Sequence, residues 1–143
     1  MAMTMQRHGR LMLAVLHDRA PSDDEWGRWL GLAAERVGKD LRAMFEVHGS
    51  VGPDARQRQA MMPLLPKLDP RTAVLSNSLV VRGVVTAVSW LGIPNAAFGA
   101  EQHAAAALYL ELTQAELALA LERLPMLRRA AGVRERRQSL RNV

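Results

Sequence analysis

"RTAVLSNSLVVRGVVTAVSWLGIP", residues 71–94, is the stretch whose reading decides the fold. Valines at 74, 80, 81, 84, 85 and 88 make it look like strand. The 18 uncharged residues from Gly83 to Ala100 make it look like a membrane span. Its period separates the possibilities. Arg71 to Leu75 is short and β-branched and follows the turn signal Asp69-Pro70, so it is predicted as a strand. Ser76, Asn77 and Ser78 are all good N-caps. Beyond them Val81, Val84, Val85, Val88 and Leu91 recur at helical spacing and predict one apolar face. Gly92 as the residue after the helix and Pro94 as a stop close a helix of about 14 residues, against the roughly 20 that a bilayer requires. Valine is a modest helix former, so burial must override propensity here.

Outward from this unit, "LMLAVLHD" at 11–18 predicts a buried strand, and a more polar strand around Met3 to His8 pairs with it through Gly9. "APSDDEWGRWLGLAAERVGKD" predicts a helix capped by Ser22 or Asp23, with Trp26, Trp29, Leu30, Ala33 and Val37 on its core face. Two Trp one turn apart also admit a binding-site reading. "LRAMFEVHG" at 41–49 alternates as a second core strand, and a short helix follows from about Asp54, halted by Pro63 and Pro66. "NAAFG" at 95–99 predicts a last strand and "AEQHAAAALYLEL" a helix. Thr113-x-x-Glu116 is a capping box that opens a helix carrying Leu117, Leu121 and Leu124 up to Pro125. Elements in the order β-β-α-β-α-β-α-β-α predict an α/β fold, a mixed four- to five-stranded sheet flanked by helices.

The chain has 143 residues, globular composition and no cysteine, which excludes disulfides, thiolate nucleophiles and Cys-based zinc sites. Its net charge of +5 is local. Residues 128–143 hold six Arg and one Glu, which leaves 13 basic and 13 acidic residues in 1–127. The expected organisation is therefore a single domain at 1–127 and a basic, flexible tail at 128–143. The N-terminus lacks the apolar core of a signal peptide, which predicts a cytoplasmic protein. Arg outnumbers Lys 17 to 2, a usage that suits a GC-rich bacterial genome.

Residues 71–110 resemble the SpoIIAA-like proteins of the STAS-like superfamily, in Thr72 to Leu75, Trp90, Phe98, Glu101, Ala104 to Ala107 and Tyr109-Leu110. This resemblance implies a STAS/SpoIIAA-like sheet and a regulatory protein that works by protein–protein contact, as anti-sigma-factor antagonists do. A lipid-transfer-like branch of the superfamily implies the alternative of a small-ligand or lipid-binding module. Antagonists are switched by phosphorylation in an Asp-Ser-Ser-Gly motif after the third strand. Here that place reads "EVHGSVGPD", where Ser50 is the hydroxyl and the motif is absent. A phosphate there would meet the positive end of a helix dipole; the plainer reading is a turn serine.

No catalytic constellation is visible in the spacing, so no enzyme, cofactor or metal site is expected. His8, His17, His48 and His103 have no mutual ligand spacing. His17 and His48 fall at strand C-termini, where with Asp18 and Ser50 they could form a rim for a ligand or partner; ordinary loop histidines are the plainer reading. Ser76 and Ser78 sit at another strand-to-helix junction, with Arg82 one turn on, where an anion could be received; N-capping explains them as well. Arg128, Arg129, Arg134, Arg136, Arg137 and Arg141 make the tail a candidate for an acidic protein partner, nucleic acid or anionic lipid, although no aromatic residue is there to stack on bases. A homo-dimer is expected from the apolar surface that an exposed Trp26 or Trp29 and the leucines of 117–124 would display.

Overall fold

A computed structural model describes residues 2–90 and 94–134, with the backbone alone for 86–90. Five strands run β1 (Met3–His8), β2 (Leu11–His17), β3 (Asp40–His48), β4 (Asp69–Leu75) and β5 (Asn95–Phe98). They lie in the sheet in sequence order. β1 and β2 form an antiparallel hairpin around Gly9, which takes a left-handed φ of 59°. The remaining neighbours are parallel, each reached by a helical crossover. The helices are α1 (Asp23–Ala34), α2 (Ala55–Met61), α3 (Leu79–Trp90), α4 (His103–Tyr109) and α5 (Gln114–Ala130), with a 3-10 turn at Leu65–Lys67.

The period-two alternation of the strands sorts side chains into two cores. Met12, Ala14, Leu16, Leu41, Ala43, Phe45 and Val47 face one side, where Trp26, Trp29 and Ala33 of α1 cover them and Met61 and Val81 pack at the margin. Leu11, Leu13, Val15, Met44, Ala73 and Leu75 face the other side, under Ala106 and Ala107 of α4 and Ala120, Leu124 and Leu127 of α5. The predicted α/β class and mixed five-stranded sheet are found. After β5 the described residues form two helices where the element order counted one, because Glu111, at φ 58°, turns the backbone between α4 and α5.

Local signals placed the helix starts well. Ser22, Asp54 and Thr113 each cap a helix reciprocally with Glu25, Gln57 and Glu116. The extents differ more. α1 ends at Ala34, so Val37 lies beyond it and is exposed. Trp26 and Trp29 are buried, 5% and 3% exposed, and stacked with centroids 6.5 Å apart, so neither supplies the surface from which self-association was expected. On α3, Val85 is buried and Val81 half-buried, but Val84 is 47% exposed. The Val88 side chain, Leu91 and Gly92 lie outside the described residues.

The largest correction concerns the C-terminus. α5 continues through Pro125 to Ala130, and the expected boundary at 127 falls inside it. Proline in a helix interior removes a hydrogen bond and crowds the carbonyl one turn back. The helix continues because Leu124 and Leu127 are buried on either side of Pro125 and Arg128 is pinned to the sheet. Pro125→Ala should therefore stabilise the protein by about 1–3 kcal/mol, read as a higher urea midpoint. An unchanged or lower midpoint would show that the helix carries no proline penalty.

Candidate functional site

β3 carries both sites of interest, one on each face. On the α4–α5 side stands Glu46, 2% exposed in the middle of a parallel sheet. A buried carboxylate is tolerated only when paired and hydrogen-bonded. Arg128 of α5 grips it with two parallel bonds, Nε to Oε1 and Nη2 to Oε2, both 2.7 Å. The ring of His103, at the start of α4, meets Oε2 at 2.8 Å, and His48 meets Oε1 at 2.9 Å. Burial alone would raise the Glu46 pKa. The hydrogen bonds from Arg128, His103 and His48 outweigh it and hold the carboxyl well below the usual range.

This cluster is a structural clamp, because its polar atoms are spent on one another. It ties α4 and α5 to the central strand. Since the folded pKa is lowered, the clamp contributes fully above the unfolded value near 4.5 and is lost as pH falls toward the folded one. Glu46→Gln should cost about 2–4 kcal/mol at neutral pH, less than for a wholly buried pair because Arg128 is part-exposed. Urea titrations should show the wild-type advantage shrinking below pH 4.5; a pH-independent difference would contradict the assignment.

The predicted rim is only partly assembled. His17 and His48 are neighbours in register at the sheet edge, and the Asp18 amide donates to the His48 carbonyl at 2.9 Å. His17, however, contacts the Ala131 carbonyl through Nδ1, at 3.1 Å, and His48 is turned onto Glu46. Arg82 lies on α3, across the sheet from them. Ser76 is fully buried and its hydroxyl accepts from the Ser78 amide, which removes it from the accessible hydroxyls. Ser78 accepts from the Val81 amide as a helix cap. Its hydroxyl also stands 3.4 Å from that of Ser50, which is exposed. Of the expected tail, Arg128 belongs to the clamp and Arg129 to α5, Arg134 is exposed, and Arg136, Arg137 and Arg141 lie outside the described residues.

On the opposite face of β3 is a cavity of about 470 Å³. That volume is of the size that takes a small organic ligand. Trp26, Trp29, Phe45, Val47 and Val74 contribute from α1 and the sheet. One wall is α2 with its C-cap, through Ala55, Arg58, Gln59 and the capping Met62, and the other is α3, through Val80, Val81, Val84 and Val85. The residues at 55, 58, 59 and 62 form one face of a helical turn pattern, which is why a short helix can line a cavity along its length. Buried Gln57 points the other way, its amide donating to the Pro21 carbonyl, while the Trp26 indole donates to the Gln57 carbonyl at 2.7 Å. These bonds latch α2 to α1. Exposed Met62, Val80 and Val84 lie around the opening.

Sequence reasoning missed both features. A lone Glu between core positions Phe45 and Val47 is a signal of a buried ion pair, but apart from His48 its partners lie 57 and 82 residues away. The cavity depends on how far α2 stands from α3, which no local pattern reports. Among the described residues no group of acidic or histidine side chains could hold a metal ion, and no helix is long and apolar enough to cross a membrane. No protein-family model, curated protein or solved structure matches the chain.

Proposed function

We propose that this chain is a non-enzymatic binding module whose ligand is an apolar small molecule held between α2, α3 and the sheet. The cavity carries the reading: two tryptophans, a phenylalanine and six valines wall a space of about 470 Å³ that opens between exposed Met62, Val80 and Val84. Leaving such apolar surface open to water costs about 25 cal/mol per Å², so filling it with hydrocarbon is favourable without any specific polar contact. Residues 71–110 resemble SpoIIAA-like proteins, and the lipid-transfer-like branch of the same STAS-like superfamily would agree with this use.

A second reading is regulatory contact with a protein, in the manner of anti-sigma-factor antagonists. Its support is a run of exposed apolar residues beside the same opening, with Leu79 at 80% and Val80 at 64%. Ser50 and Ser78 adjoin this surface. Bacterial regulation and a cytoplasmic setting belong to this reading as proposals with it.

A series of straight-chain alcohols tests the first reading, with Trp26 and Trp29 as fluorescent reporters in the wall. Each methylene is worth about 0.8 kcal/mol when buried, so affinity should climb about fourfold per carbon until the cavity is full. A flat series would overturn the ligand reading and leave the second, whose signature is a dimer or a stoichiometric complex in light scattering.

A further inference from the structure

We infer that the ligand is a single-chain amphipathic carboxylate, its tail in the cavity and its head on Arg58; this rests on the ligand reading above and names its chemical class. Among the described residues lining the cavity, Arg58 is the only one with an ionisable side chain. It stands on the cavity face of α2 and is exposed to solvent, so its charge lies at the opening. Its guanidinium is oriented from below, Nη1 donating to the Pro53 carbonyl at 2.6 Å. A guanidinium has five N–H donors in a planar fork, so one such bond leaves most of the fork for a ligand.

The neighbouring carboxylates are engaged elsewhere. Asp23 takes Arg56 at 2.7 Å, and Asp54 accepts from the Gln57 amide at 2.7 Å. Among the described residues no carboxylate lies within ion-pairing distance of Arg58. An apolar chamber with one unneutralised cation at its opening is complementary to one hydrocarbon chain and one negative charge. A single planar fork fits a carboxylate with two parallel bonds, whereas a doubly charged phosphate monoester would call for more than one cation. Ser50 and Gln59, both exposed, also contribute polar groups to the lining.

Dodecanoate and dodecanol share a tail and differ in the head, so titrating both against the intact chain separates the two proposals. At low ionic strength dodecanoate should bind about fivefold tighter, the upper end for an exposed ion pair. In Arg58→Gln the two affinities should become equal, dodecanol being unaffected, with an unchanged urea midpoint showing that the variant is folded. In the unaltered protein the preference should also vanish near 1 M salt, where the Debye length is about 3 Å. Equal binding of both compounds to the wild type would overturn the carboxylate inference and leave the apolar cavity standing. A preference that survives in Arg58→Gln or in high salt would place the head elsewhere and overturn it too. No binding of either compound would overturn both this inference and the reading on which it rests.

Discussion

The bidentate grip of Arg128 on the buried Glu46 carboxylate joins the central strand to the C-terminal helices, through the middle of the apolar core they share. Glu46 sits on β3, the central strand; His103 starts α4, and Arg128 lies in the last turn of α5. A carboxylate in that position would be intolerable alone, so the sheet forms with this side chain buried only if both C-terminal helices are docked. The same bond explains why α5 survives an internal proline. It also makes residues 128–131 part of the folded body, where charge alone reads as a solvated tail.

β3 shows how a strand's alternation can separate an ion-paired side from an open, apolar one. Its even-numbered residues Met44 and Glu46 face α4 and α5, where the Glu46 carboxylate is paired and the apolar side chains are closely covered. Its odd-numbered residues Phe45 and Val47 face α1, α2 and α3, where the covering helices stand apart. The Trp26–Gln57 hydrogen bond ties α2 to α1 beside the cavity. The closely packed side carries the ionic clamp, and the other side carries the proposed ligand cavity. The half-buried histidines and the buried glutamate thus belong to the scaffold, and the lining of the cavity is mostly apolar.

The legible parts of this fold are those set by short-range physics. Helix starts at Ser22, Asp54 and Thr113 follow from side chains that satisfy amides three residues on, and the change of period after Leu75 separates β4 from α3. What could not be read depends on distant partners. Pro125 is a stop signal by local rules, overridden by contacts that reach across 82 residues. Trp26 and Trp29 were legible as a core stripe; that one edge of this core borders a cavity was not, because it depends on the spacing of α2 and α3. Ser76 was legible as a junction residue, but its burial is fixed by the pairing of β5 beside β4, with the Ser76 amide donating to the Phe98 carbonyl at 2.9 Å.

The central claim is that the space beside Phe45 and Trp29 is a ligand site. Native mass spectrometry of the untagged, gently purified protein addresses it most directly, by weighing the folded chain before and after incubation with dodecanol. The account predicts a bound small-molecule mass, either carried through purification or acquired on incubation, that is lost when the protein is denatured. The bare polypeptide mass in both samples would contradict it.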